Sequence, residues 1–199
     1  NDASAACGAE LVFGDQERPR DFLYFFVSYF VGGGLVLDNT LYTGKTGNAA
    51  ALGSIPVTAA DGSVRQLVDV ASLVRLEMDL VAQGGDRDEI WGSFEAWHLP
   101  VDMLNTWLDE AASGLAQAIL SSNCLIDFEC VLIDGSLPKD VRADLVQRTR
   151  QRLSEISLTG VETPDIREGT VGSDARSLGA ASLPLSERFL VDRKAFLKG

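Results

Sequence analysis

Few residues in this chain are of a type and spacing that does chemistry, and the clearest are glycines. Gly32, Gly33 and Gly34 sit between an aromatic-rich apolar run, "FVSYFV", and a second run, "LVLD". Consecutive glycines beside a strand offer backbone N–H groups with no Cβ in the way, an arrangement that holds phosphate in many proteins. They also make tight hairpins, so the glycines alone leave both readings open. Gly135 follows another short apolar run, "CVLID". Asp2 opens a helix, where a carboxylate serves as a cap or as a first-turn charge at the favourable end of the dipole. Metal chemistry has little to work with: Cys7, Cys124 and Cys130 are an odd set with no metal-like spacing. The single histidine, His98 beside Trp97, reads as an ordinary surface or boundary residue. Trp91, Phe94, Trp97 and Trp107 either line a ligand cleft or pack a core or subunit interface, and packing is the favoured reading.

The elements that must position these residues follow from periodicity. Ala3 to Phe13 reads as a helix, well capped by Asn1 or Asp2 and closed by Gly14. Phe22 to Val31 and Leu35 to Asp38 read as two strands joined by the three glycines, and Asn39-Thr40 turns into the short run "LYTG". Gly44 to Ser63 has no periodicity and reads as a long loop, a length usually tied to function. Helix is expected from Val64 to Val81. The strongest helix runs from Val101 to Ser122, with Met103, Leu104, Trp107, Leu108, Ala111, Leu115, Ile119 and Leu120 on one stripe. Phe128 to Asp134 is a short buried strand, and "GSLP" opens the next helix with Ser136 as cap and Pro138 in its first turn. A weak strand around Ile156 to Val161 and a helix from Asp174 to Leu190 complete the pattern, an α/β layer architecture with a mixed sheet flanked by helices.

Composition narrows the function. The 199 residues, 46% hydrophobic, suffice for one domain with a real core. A formal charge of −12 argues against gripping a phosphate backbone with this chain. Its apolar stretches are too short and too broken for a transmembrane span. Odd, unpatterned cysteines fit a reduced, cytoplasmic setting. With no initiator Met and no signal-peptide core, the chain reads as a fragment of a longer protein or a mature chain missing its front half.

Four segments in this order resemble the C-terminal lobe of the ROK family of repressors and sugar kinases: "NDASAACGAE" (1–10), "GGGLVLDNTLYTGKTGNAAALGSIPV" (32–57), "CVLIDGSL" (130–137) and "GSDARSLGAASLPL" (172–185). The resemblance implies an actin-like, ribonuclease-H-like ATPase lobe over residues 1–199. In the family's kinases an Asn-Asp-x-Asn motif supplies the carboxylate that accepts a proton from the sugar hydroxyl. Asn1 and Asp2 match it, which makes Asp2 the surviving candidate base and Asn1, Asp2 and Ser54 the candidate sugar contacts. The family's Gly-Thr-Gly-x-Gly-x-Gly hairpin aligns Ser28, Tyr29 and Phe30 with Gly, Thr and Gly. It leaves Gly32, Gly33 and Gly135 as the remains of a phosphate site. Tyr29 and Phe30 are expected to fill the face a phosphate needs, and Asp134, in place of a glycine, to repel it. Ala51 and Ser54 stand where the family has a sugar-binding Glu and a zinc-ligating His. "VTAADGSVRQLVD" lacks the family's zinc cysteines, with Gln66 at the last of them and Val68 at a sugar-binding Glu. The expected cofactor set is therefore empty, with ATP and zinc sites lost and no metal ligands.

On these grounds the chain reads as the effector and dimerisation domain of a ROK-type transcriptional regulator, without ATP-dependent sugar phosphorylation. Its DNA contact would come only from an upstream winged-helix domain, and its partners would be a sugar or sugar-phosphate ligand and a second copy of itself. The alternatives are an active, ATP-dependent hexose kinase and a pseudo-kinase binding module with no DNA-binding partner domain.

Overall fold

The computed structural model describes residues 2–14, 19–156 and 159–172. The final helix expected from Asp174, and most of the 172–185 segment, lie outside these residues. Helix α1 (Asp2–Phe13) comes first, followed by strands β1 (Phe22–Val27), β2 (Gly32–Leu37) and β3 (Thr40–Leu41). A 3-10 turn (Leu52–Ser54) leads into a small hairpin of β4 (Pro56–Thr58) and β5 (Val64–Gln66). Helices α2 (Leu67–Ala71), α3 (Leu73–Ala82), α4 (Asp88–Trp91) and α5 (Val101–Ile126) follow. Strand β6 (Cys130–Gly135), helix α6 (Lys139–Glu155) and strand β7 (Asp165–Glu168) close the described part.

The main sheet runs β3-β2-β1-β6-β7. β1 pairs antiparallel with β2 and parallel with β6, and β6 pairs parallel with β7, so the expected mixed sheet is present. Every β1 residue is buried, which is why "FLYFFV" reads as a continuous apolar run rather than an alternation. Alternation still decides direction. Phe22, Tyr24 and Phe26 pack with Ala3, Ala6 and Cys7 of α1 on one face. Leu23, Phe25 and Val27 join the larger core on the other, built from α2, α3, α5 and α6. Each such side chain contributes roughly 1.5–3 kcal/mol when fully buried.

The glycine run is not the bend. Gly32, Gly33 and Gly34 lie inside β2, opposite Phe26, Phe25 and Tyr24, and the connection between strands is Ser28 to Val31. The physical reason is helix packing. A Cβ on Gly34 would fall 2.4 Å from the Cys7 Cβ, and one on Gly32 would fall 2.8 Å from that of Ala3. Glycine there lets α1 lie directly on the sheet.

Other boundaries also shift. The expected loop 44–63 contains the 3-10 turn and β4, and the helix expected from Val64 begins as β5 and is broken at Ser72. α6 starts at Lys139 with Pro138 at its N-cap, and Ser136 makes no cap bond. The strand expected near Ile156–Val161 is found at Asp165–Glu168; residues 157–158 lie outside the described set.

Candidate functional site

Parallel β1 and β6 end side by side, and their carboxyl ends carry the connections Ser28–Val31 and Ser136–Pro138, the usual place for a ligand in an α/β sheet. The two are tied together. Ser136 N donates to Val27 O at 2.9 Å, and the buried hydroxyls of Ser28 and Ser136 share a hydrogen bond at 3.0 Å. Helix α3 fixes the first connection from below. Leu73 N donates to Ser28 O at 2.9 Å and Val74 N to Tyr29 O at 3.2 Å, while Val31 N donates to Ser72 Oγ at 2.9 Å.

The amides of Tyr29 and Phe30 find no acceptor among the described residues. Their side chains are not buried. Tyr29 is 41% and Phe30 61% exposed. The rings meet edge-on at 4.8 Å, and Tyr29 leans on Trp91 at 5.8 Å, which in turn meets Phe94 at 6.5 Å.

Asp134 differs from its expected role. It is wholly buried, and its carboxylate accepts from Tyr24 Oη (3.0 Å), Gly135 N (2.8 Å), Arg142 Nη1 (2.9 Å) and Gly172 N (2.9 Å). Arg142 Nε reaches on to Glu168 at 3.1 Å. An acid so fully paired presents no bare charge to a phosphate. Burial, with Asp134 and Glu10 nearby, pushes the Tyr24 hydroxyl well above its ordinary range, so it acts as a neutral donor. Glu10 is buried too. Loss of water raises its carboxyl above the usual value, against the lowering effect of bonds from Thr170 and Val171.

Asp2 is exposed at the first turn of α1. Its neighbour Ala3 touches Gly32, the residue that follows the open loop, so Asp2 stands at the same edge as the free amides. Asn1 lies outside the described residues. Gly53 packs against Val31 O and the Val68 Cβ, which brings the exposed Ala51 and Ser54 and the half-buried Val68 beside the other end of that loop. Gly32 and Gly33 sit in β2, and the Gly135 amide is taken by Asp134. Sequence reasoning missed the Ser28–Ser136 pair and the Ser72 tether. Small polar residues carry no periodic signal, and only the parallel pairing of β1 with β6 shows that the first two meet.

The segment where zinc ligands would lie is the β4–β5 hairpin. Asp61 holds it, accepting from Ser63 N (2.9 Å) and Arg65 Nη2 (2.6 Å); bonds from Ser63 and Arg65 keep the Asp61 carboxyl below its usual value. Gln117 clasps Thr58 from α5 through two hydrogen bonds. These residues supply no thiolate or imidazole and do not fit a zinc site. Among the described residues, no three His, Cys, Asp or Glu side chains converge as metal ligands would. His98 is exposed, Trp107 belongs to the core, and Trp97 donates to Ile90 O; Trp91 and Phe94 form the aromatic row with the loop. No helix among the described residues is long and apolar enough to cross a membrane.

Residues 1–71 match the sequence model of the ROK family, and similar proteins align over as much as 92% of the chain. The bifunctional enzyme NanE/NanK of Brucella melitensis biotype 1 is 32% identical over 187 residues, covering 92% of this chain and 34% of that protein. An N-acetylmannosamine kinase of Haemophilus influenzae (strain PittEE) is 28% identical over 189 residues, covering 91% of this chain and 60% of its own length. The crystal structure of a ROK hexokinase from Thermus thermophilus superposes with a TM-score of 0.66 at 26% identity, covering 94% of this chain and 65% of that one. The fold is the actin-like lobe of the ROK sugar kinases. The chain spans between a third and about 60% of the length of these two curated relatives. The curated relatives named for one activity are a glucokinase and N-acetylmannosamine kinases, which overturns the regulator reading.

Proposed function

We propose that this chain is the C-terminal lobe of an ATP-dependent sugar kinase acting on hexoses or N-acylated hexosamines. One observation carries the reading. Two consecutive amides with no acceptor among the described residues sit at the carboxyl end of β1, at the same edge as an exposed carboxylate on the first turn of α1. Oriented amides bind phosphate oxygens, and a carboxylate beside an attacking hydroxyl orients it and takes its proton.

In the proposed reaction the sugar hydroxyl oxygen attacks the γ-phosphorus of ATP. The bond from that phosphorus to the β,γ-bridging oxygen breaks, ADP leaves, and the hydroxyl proton passes to Asp2. The amides of Tyr29 and Phe30 hold phosphate oxygens, and the paired Ser28 and Ser136 hydroxyls fix the two connections that frame them. Ser54 is the polar group near the far end of the loop available to a sugar hydroxyl. The glucokinase and N-acetylmannosamine kinases among the similar proteins support the substrate class. The β4–β5 hairpin, held by Asp61, Ser63 and Arg65, takes the place of a zinc-tethered segment, and a cytoplasmic setting suits a kinase fed by ATP.

The test is a coupled assay of ADP release by the full-length protein with N-acetylmannosamine and with glucose. Turnover with one of them is expected, with Asp2→Asn lowering kcat by roughly a hundredfold to ten-thousandfold. No ADP release with any hexose or N-acetylhexosamine at saturating ATP overturns the reading.

A further inference from the structure

The aromatic row beside the loop has no role in that scheme, and its position calls for one. Phe30, Tyr29, Trp91 and Phe94 form a chain of ring contacts that starts on the two residues whose amides are open. Phe30 and Tyr29 are both exposed and in contact with each other, so they form a contiguous aromatic patch rather than scattered single residues, the kind of surface that marks a binding site. Trp91 is held in place: its indole Nε1 donates to Glu77 Oε2 at 2.7 Å, and Arg87 braces the same carboxylate at 2.8 Å.

The sheet separates this row from the acid. α1, which carries Asp2, packs on the face of Tyr24 and Phe26, whereas Trp91 packs against the core on the opposite face. In phosphoryl transfer the attacking and leaving oxygens lie roughly in line on opposite sides of the phosphorus. With the acceptor hydroxyl on the Asp2 side, the rest of the donor extends toward the aromatic row. A ligand that presents both phosphate oxygens to amides and a flat π-face to aromatic rings is a nucleotide.

We propose that Tyr29, Phe30, Trp91 and Phe94 are a stacking platform for the base of the phosphoryl donor, which makes this loop selective for a nucleoside triphosphate over a bare polyphosphate chain. This rests on the phosphate-loop reading above. It also assigns the side chains that replace small residues in the loop a positive role in specificity. Stacking of a base on aromatic side chains is tolerant of which base is present, so the platform favours nucleotides as a class.

The experiment is calorimetric titration of the full-length protein with ATP, with inorganic tripolyphosphate and with N-acetylmannosamine. Wild type is compared with Tyr29→Ser, Phe30→Ser and the conservative Phe30→Tyr. Wild type is expected to bind ATP roughly tenfold to a hundredfold more tightly than tripolyphosphate. The serine variants should lose that margin while keeping their tripolyphosphate affinity, and Phe30→Tyr should keep it. Both serine substitutions fall on exposed side chains, and a thermal melt confirms folding before titration. Equal affinity of wild type for ATP and tripolyphosphate overturns the platform and leaves the phosphate loop standing. So does an ATP margin that survives both serine variants, or a loss confined to the sugar. Failure of both phosphate compounds to bind overturns the phosphate-loop reading itself.

Discussion

Two clusters of polar groups lie at the carboxyl end of the same sheet and are built in opposite ways. Around Asp134 every oxygen is occupied: Tyr24, Gly135, Arg142 and Gly172 all donate to it, and the carboxylate is wholly buried. Around Tyr29 and Phe30 the carbonyl of Tyr29 is taken by the first turn of α3, while the two amides have no acceptor among the described residues and the side chains are exposed. The first cluster is satisfied internally and so serves the fold. The second leaves two donors without an acceptor among the described residues, which is what the proposed phosphate contact requires. The contrast shows that the charge of a buried acid matters less than where its partners are.

The largest effect should come from breaking the closed cluster. Arg142→Met leaves Asp134 buried without its cation, and removing one partner of a buried ion pair typically costs about 3–5 kcal/mol. Urea unfolding should show a lower midpoint with an unchanged slope. Replacing both residues, Asp134→Leu with Arg142→Met, should recover much of the loss, because the uncompensated charge is then gone. If the single variant unfolds like wild type, the pair contributes nothing and the comparison above loses its closed half.

Next in size is the seam between α1 and the sheet. Gly34→Val forces a branched side chain into a place where even a Cβ would lie 2.4 Å from that of Cys7. Overpacking of this kind costs typically about 1–3 kcal/mol. Because α1 carries Asp2, the shift should also lower kcat of the proposed kinase reaction in the full-length protein more than it raises KM for ATP.

Much of the fold was readable from residue patterns, and the exceptions have physical causes. α5 declared itself through apolar spacing, since Met103, Trp107, Leu108, Ala111, Leu115, Ile119 and Leu120 are all buried; α1 was marked by its caps, and it buries every residue from Ala5 to Glu10. The glycines of β2 resembled a turn because a run of glycine carries no trace of the helix that requires it; Cys7 and Gly34 meet only in the folded chain. β4 and β5 have three residues each with most side chains exposed, too little alternation to register. Asp134 looked repulsive because its cation, Arg142, stands on the next helix, where charge counting along a strand does not reach. Tyr29 and Phe30 stood out by bulk alone, and bulk does not tell which rings they meet; their contacts with each other and with Trp91 appear only in the folded chain.

A smaller effect separates the two clusters by pH. Glu10, which accepts from Thr170 and Val171 beside the closed cluster, has its carboxyl raised chiefly by burial. A carboxyl raised in the folded state binds its proton more tightly there than in the unfolded chain. Its contribution is therefore fully present below the unfolded value and is lost as pH rises through the folded one. Glu10→Gln removes this titration. The stability of wild type relative to Glu10→Gln, followed by urea unfolding across the acid range, should fall as pH rises through the Glu10 transition. A flat difference would show that the hydrogen bonds from Thr170 and Val171 fully offset the burial.

The smallest effect is expected at the open loop, and its smallness is the point. Phe30 is 61% exposed and touches Tyr29 edge-on, so Phe30→Ser removes little buried area and no hydrogen bond. Surface substitutions of this kind stay within about 0.5 kcal/mol. Tyr29→Ser also loses the contact with Trp91 and should cost somewhat more, within the roughly 0.5–1.5 kcal/mol of an aromatic pair. Thermal melts of both variants beside Arg142→Met give the ranking directly. Should Phe30→Ser destabilise the chain as much as Arg142→Met, the loop aromatics are part of the scaffold after all, and their exposure no longer points to a ligand.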